Sequence, residues 1–233
     1  EEIQLPESTT EVGDDAFWNC GGLQEVTFGK NVSVIGTGAF ESCTGLKKIT
    51  FTENTSMVVT DSGKKELYPL KIQQTAFDNC KSLKEIQWSK NLTEIGNSGF
   101  RNCISLTEVN LPERVVNIGD TVFSGCSSLT SLTLLEGLET IGASIIEGTR
   151  VSSLTIPGTV TKCNYSYYRG DVVGATNGAL YLSKVIFAEG MIKVPAGICG
   201  NRGIIENIEE IQLPESTTEV GDDAFWNCGG LQE

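Results

Sequence analysis

Apolar residues along the chain recur in a pattern about 23 positions long. One copy reads Ile95-Gly96, Gly99-Phe100, Cys103, Leu106, Val109, Leu111-Pro112, and the next Ile118-Gly119, Val122-Phe123, Cys126, Leu129, Leu132, Leu134. Earlier copies start at Val12-Gly13 and Ile35-Gly36 and carry Cys20 and Cys43 at the same place. Two spacings alternate inside each copy. Val26 and Phe28, Ile49 and Phe51, Ile86 and Trp88, and Val109 and Leu111 lie two apart, as in a strand with one buried face. Ala39-Phe40 and Cys43, three to four apart, predict a short helical or 3₁₀ turn. The glycine after each Ile or Val predicts a bend between the two. A unit this short cannot enclose its own apolar edge, so the copies must stack.

The first apolar residue of each strand marks the coils: Ile3, Val26, Ile49, Ile86, Val109, Leu132, Leu154, Val185 and Ile211, at intervals of 23, 23, 37, 23, 23, 22, 31 and 26. The pattern predicts one domain over residues 1–233, an α/β repeat solenoid of about nine coils with one parallel sheet and short helical or 3₁₀ turns opposite. The long intervals place one insertion near 52–67, with the polar run Asp61-Ser62-Gly63-Lys64-Lys65-Glu66, and another near 164–178, with Tyr165, Tyr167 and Tyr168. Such additions leave a solenoid as loops on one face.

Residues 209–233 repeat residues 1–25 without a change, at an offset of 208 that equals the eight intervals together. Other coils share only the apolar frame, so packing does not account for identity at exposed positions. Either a block of eight coils was duplicated in tandem, or the array was closed deliberately with a copy of its start. Neither terminal coil carries a polar cap, and solenoid ends expose sheet edge and core. Either end-to-end contacts between chains or neighbouring coils outside this segment are therefore expected.

Composition narrows the chemistry. The formal charge of −13, with no basic run, sets aside nucleic acid and anionic membrane as partners. No stretch approaches the roughly 18 to 20 apolar residues of a membrane helix, and the chain opens on Glu1-Glu2, not on a basic and then apolar leader, so signal and anchor are expected outside this segment. With no histidine, Ser-His-Asp and Cys-His nucleophiles and most zinc and copper sites are removed, and neither metal nor cofactor is expected. The eight cysteines form no CxxC and follow the repeat itself, which favours buried thiols acting as small hydrophobes over scattered disulfides between coils. A carboxylate pair placed for glycoside hydrolysis stays open. No acidic cluster interrupts the repeat, however, so no catalytic residue is named.

Between the inward strand residues lies one outward residue per coil: Thr27, Thr50, Gln87, Asn110, Thr133, Thr155 and Gln212. This polar, largely uncharged stripe is the candidate binding face, set against the plainer reading of solvated sheet with β-favouring threonine. Trp18 follows the buried Phe17, and Tyr165, Tyr167 and Tyr168 crowd the second insertion. Exposed aromatics there would recognise protein or sugar, or would cap an irregular coil.

The pattern Leu-Pro-x-x-Val-x-x-Ile-Gly-x-x-x-Phe-x-x-Cys-x-x-Leu-x-x-Val-x-Leu runs nearly whole from Leu111-Pro112 to Leu134, and a variant places Thr149 where the others have cysteine. In this the chain resembles the BspA-like, or Treponema-type, leucine-rich repeat proteins. The resemblance implies a right-handed coil stack and a cell-surface or secreted protein, active in adhesion to a host or bacterial surface protein or glycan. The expected function is thus a non-catalytic binding module. A passive stalk of a larger surface protein is the alternative, and a carbohydrate-active enzyme stands third.

Overall fold

The computed structural model describes all residues except 60–62, 64, 169–170, 202–206 and 232–233, and for 166–168 and 171–173 it describes the backbone alone. Each coil contributes two short strands, not one. The first set runs Glu2–Gln4, Glu25–Phe28, Lys48–Phe51, Glu85–Gln87, Glu108–Asn110, Ser131–Thr133, Ser153–Ile156, Lys184–Phe187 and Glu210–Gln212. The second runs Glu11–Val12, Val34–Ile35, Leu70–Ile72, Leu92–Ile95, Asn117–Ile118, Thr140–Ile141, Lys162–Cys163, Lys193–Val194 and Glu219–Val220. Both stack in parallel, with equivalent residues in register, as in Val26 opposite Ile49 and Ile118 opposite Ile141. The expected single sheet is therefore two. The Ile or Val before each glycine, read as a bend, is the buried residue of this second strand, and two residues are too few to show a period.

The third side of each coil holds no helix among the described residues, which corrects the expected helical or 3₁₀ turns and makes the fold all-β. The hydrogen bonding gives the reason. Along one turn, Ala39, Glu41 and Cys43 donate their amides to Gly36, Gly38 and Phe40 of the same coil, while Gly38, Phe40 and Ser42 donate to Gln74, Ala76 and Asp78 of the next. The same alternation holds for Ser98 to Cys103. A helix would need every amide for itself. The alternation depends on left-handed residues four apart in a coil, such as Thr75 and Asn79 (φ 52° and 62°) or Ser98 and Asn102 (φ 56° and 58°). Such residues interrupt any helical run, and the short polar side chains there tolerate the conformation.

The columns that this register creates are the core. Phe17, Phe40, Phe77, Phe100 and Phe123 stack in sequence, neighbouring ring centroids lying 4.9 to 6.0 Å apart. Each buried ring contributes on the order of 2–3 kcal/mol by burial, with roughly 1 kcal/mol more per aromatic pair. The Phe column then shrinks to Ile146, Thr176 and Cys199 before Phe225 restores it. Cys163 pairs with Ile141 and so occupies the second-strand column, not the cysteine one.

The glycine that follows six of the nine second strands meets a different constraint from a bend. A Cβ on Gly119 would lie 2.6 Å from the Asn97 amide nitrogen and 2.8 Å from the Gly96 carbonyl carbon, so stacked coils approach too closely here for any side chain. Gly13, in the first coil, would meet nothing within 4 Å. Gly119→Ala should therefore destabilise by about 1–3 kcal/mol, the range for overpacking. Gly13→Ala should stay within a few tenths of neutral, both read from urea midpoints. Equal losses at the two positions would refute the close-approach account.

Candidate binding surface

In the first strand of each coil the residues between the buried ones face out. One outward column runs Gln4, Thr27, Thr50 and Gln87 in register, a second block pairs Asn110 with Thr133, and a third runs Thr155, Ile186 and Gln212. Gln87, Asn110, Thr155 and Gln212 are exposed, whereas Thr27, Thr50 and Thr133 are half-buried. Gln4 and Ile186 complete the column and were missed by sequence reasoning. Ile186 interrupts the polar stripe; it sits inside the apolar run Val185-Ile186-Phe187, where alternation gives no signal.

A charged column flanks this one: Glu2, Glu25, Lys48 and Glu85 in the first block, and Ser153, Lys184 and Glu210 in the last. Lys48 lies 2.8 Å from Glu85, which raises the Lys48 pKa, and Lys184 lies 3.0 Å from Glu210. The bonds from Lys184 and from Gln212 Nε2, at 2.6 Å, hold the Glu210 carboxyl below its usual range. Asn110 Nδ2 likewise donates to Glu108 at 2.6 Å. Two of the candidate side chains are thus already engaged by neighbouring acids, and a partner must compete with those bonds.

The first sheet is interrupted. Glu85–Gln87 ends one block and Glu108–Asn110 begins the next, while the second sheet runs on unbroken through the same coils. Trp88 stands at the break, in the column that holds Phe51 before it and Leu111 after it, and its ring packs edge-on against Phe100 at 5.4 Å. A cleft of about 320 Å³ opens there, lined by Lys84, Glu85, Trp88, Glu108 and Asn110 among others.

The two insertions are antiparallel hairpins, Met57–Val59 with Lys65–Leu67 and Ser166–Tyr168 with Asp171–Val173. The first is held against later coils by Arg114, whose Nη1 donates to the Leu67 carbonyl at 3.1 Å and whose Nη2 lies 3.7 Å from Glu66. Two clefts of about 400 Å³ flank this contact and share Leu67, Glu113 and Arg114; Met57 lines one and Leu135 the other. Met57 (53%), Val59 (66%), Tyr68 (44%) and Leu135 (36%) are the exposed large apolar residues of this region. None had been singled out from the sequence, although Met57-Val58-Val59 ahead of a polar run containing Gly63 carries a hairpin signal.

The aromatic candidates separate. Trp18 is exposed at the turn side of the first coil. Tyr165 is half-buried, packs on the core and lies across Gly197, so it is no free recognition group. The side chains of Tyr167 and Tyr168 fall outside the described residues.

The comparisons agree with this geometry. A family model described as the BspA-type leucine-rich repeat region matches residues 1–62, 68–172 and 182–233 in six copies. The chain belongs to the BspA-type leucine-rich repeat family. The first gap, 63–67, falls in the first hairpin, and the second, 173–181, begins at the last residue of the second hairpin. Among solved structures, it is similar to a leucine-rich repeat protein of T. pallidum, with 24% identity and TM-score 0.56 over 100% of this chain and 78% of that one. It is also similar to a leucine-rich cell surface protein of Faecalibacterium prausnitzii, with 21% identity and TM-score 0.59 over 99% of this chain and 80% of that one. At these identities the likeness concerns the fold. The comparison with curated proteins gave no match.

In this BspA-type repeat the cysteine column has a definite partner. Cys43, Cys80, Cys103 and Cys126 each donate S–H to the carbonyl of the Phe-column residue one coil earlier, Phe17, Phe40, Phe77 and Phe100, at 3.1 to 3.3 Å. Cys228 does the same to Cys199 at 3.4 Å, and Thr149 instead donates to Ile146 of its own coil at 2.8 Å. All eight cysteines are free thiols. Among the described residues, no group of three or more His, Cys, Asp or Glu is placed to hold a metal ion. The buried Asp78 carboxylate accepts from both Nε and Nη2 of Arg101, the latter at 2.6 Å. No helix is long and apolar enough to cross a membrane among the described residues.

Burial pushes the thiol of Cys43 up to about 11 and those of Cys126 and Cys163 to about 12, while Cys20 is exposed. Up to a pH of about 9 these thiols are protonated in both states; above it the unfolded chain releases protons that the folded chain keeps, so stability should fall as pH rises from about 9. A disulfide reagent at pH 8 should modify one thiol per chain rapidly, Cys20, and the other seven only after denaturation. Rapid modification of several thiols in the native protein would contradict the buried ladder.

Proposed function

We propose that this chain is a non-catalytic, cell-surface or secreted binding module that engages a protein or glycan through its first hairpin and the adjoining sheet face. One observation carries the reading: Met57, Val59, Tyr68 and Leu135 are large apolar side chains left exposed on or near the first hairpin, and Met57 and Leu135 line two clefts of about 400 Å³. An exposed apolar cluster rimmed by polar groups such as Lys65, Glu113 and Arg114 is the usual composition of a contact surface. The sheet face adds a rigid row of hydrogen-bonding groups, and the Trp88 cleft interrupts it with an aromatic edge. Description of one structural relative as a cell surface protein supports the location.

The stalk reading differs in one respect: it needs neither the hairpin nor the outward columns. A binding screen across matrix proteins and glycans separates the two. It should be run with the native chain, with Val59→Glu, and with Thr50, Gln87 and Asn110 each changed to lysine. Val59→Glu should weaken the best ligand at least tenfold and leave the melting temperature unchanged, because the side chain is exposed. Loss only in the sheet-face variants would move the site to the sheet. No ligand for the native chain would favour the stalk.

A further inference from the structure

Between Glu85–Gln87 and Glu108–Asn110 the first sheet loses more than its ladder: no Cα of one strand lies within 8 Å of a Cα of the other. Paired strands lie about 4.8 Å apart. The other interruption, between Ser131–Thr133 and Ser153–Ile156, keeps Cα atoms of the two strands within 8 Å, so the first alone is a true gap. Elsewhere the residue ahead of a first strand donates its amide one coil back, Lys84 to Lys47 and Thr130 to Thr107. The residue after the strand donates one coil forward, Leu5 to Thr27 and Leu111 to Thr133. The equivalent bonds across the gap, Thr107 to Lys84 and Trp88 to Asn110, are not made among the described residues. Ile86 and Trp88 are only half-buried, although Ile49, Phe51, Val109 and Leu111 in the same two columns are buried.

Two features hold the gap open. Closure in the regular register would set Glu85 directly opposite Glu108, and like charges so placed destabilise a sheet. Trp88 is the largest side chain of its column, and its ring is braced edge-on against Phe100. On the far side of Glu85–Gln87, the strand Lys48–Phe51 shows what satisfies such an edge. Lys48 Nζ lies 2.8 Å from Glu85, Ile49 stands opposite Ile86, and Thr50 stands opposite Gln87. Glu108 has no such cation among the described residues; its carboxylate accepts the Asn110 side-chain amide at 2.6 Å.

We propose that this gap admits one extended strand of a partner protein, parallel to its neighbours, with the pattern basic-apolar-polar-apolar and its basic residue between Glu85 and Glu108. Three strands at sheet spacing span about 9.6 Å, so a separation beyond 8 Å is of the size that one inserted strand needs. The inserted backbone satisfies both unpaired edges at once, its carbonyls accepting the amides of Trp88 and Thr107. Its apolar residues cover Ile86 and Trp88, and its cation replaces one repulsion with two attractions. The cleft so filled is the Trp88 cleft of the binding-module reading, on which this assignment rests, and no residue lining the hairpin clefts takes part.

The probe is a synthetic peptide, acetylated and amidated, of sequence Leu-Gln-Lys-Ile-Thr-Phe-Thr. It carries the pattern and sets Gln beside Lys84, as Gln24 lies beside Lys47 at 3.0 Å. Residue-resolved hydrogen exchange of the full chain should show the Trp88 and Thr107 amides fast in the free protein and slowed by the peptide. By fluorescence anisotropy of a labelled peptide, Glu108→Lys should bind at least about tenfold more weakly, with no change in melting temperature because Glu108 is exposed. A peptide with Glu in place of Lys should lose affinity to the same extent. Val59→Glu, at the hairpin, should bind the peptide as the native chain does, so failure of the hairpin site and failure of the slot give different results. The proposal is overturned by absence of binding, by binding that leaves Trp88 and Thr107 unprotected, or by affinity unchanged in Glu108→Lys. Strong protection of both amides in the free protein, or loss of binding in Val59→Glu, would overturn it too.

Discussion

On the turn side of each coil, alternate backbone amides bond within the coil and to the coil beyond, and most other features of the molecule follow from that division. Phe40 and Ser42 find acceptors at Ala76 and Asp78, as Phe100 and Asn102 do at Val122 and Ser124. The register thus imposed places one Phe ring over the next, brings five of the eight thiols to the carbonyl of a Phe-column residue, and presses glycine such as Gly119 against backbone one coil away. Side-chain oxygens join in the same manner: Asp14, Asn97 and Asp120 each accept an amide of the following coil at 2.7 to 2.9 Å. Coils so connected have little stability singly and gain it only in the stack.

The surface features arise where this regularity is relieved. Hairpins enter only on the connections leading into or out of the second sheet, where a coil can lengthen without moving either strand set. The first hairpin is not left free; Arg114, two coils further on, ties Leu67 down, and the clefts beside it are as firmly based as the stack itself. The Trp88 cleft has another origin, a break in the first sheet between coils of ordinary length. Both sites therefore sit on a rigid frame, which lowers the ordering cost of binding.

Much of this was legible in the sequence. The 23-residue spacing, the first strand set and the outward residues from Thr27 to Gln212 follow from alternation alone. The second strand set did not, because two-residue strands carry no period. Ala39, Phe40 and Cys43 read as a helical turn because their spacing is helical. What excludes a helix is the pair of left-handed residues in seven of the nine coils, visible as recurrent Asp, Asn, Ser, Thr or Gly four apart, as at Asp15 and Asn19 or Thr121 and Gly125. Around Cys163 and Cys199 the repeat is weak in the sequence, and these two residues occupy the second-strand column and the Phe column. The binding surface was harder to read, since exposure of Met57 and Leu135 depends on how a hairpin lies against coils distant in sequence.

The duplication supplies the sharpest test of the central claim that each coil is held by acceptors in the next. Phe17 and Phe225 share the same local sequence and hence the same intrinsic exchange chemistry, but the Phe17 amide donates to Ala39 of the following coil at 2.7 Å. No following coil stands beyond Phe225 among the described residues. Residue-resolved hydrogen exchange on a polypeptide limited to residues 1–233 should show the Phe17 amide strongly protected and the Phe225 amide exchanging far faster. Equal protection at the two positions would mean that the turn is held within its own coil, and would contradict the account.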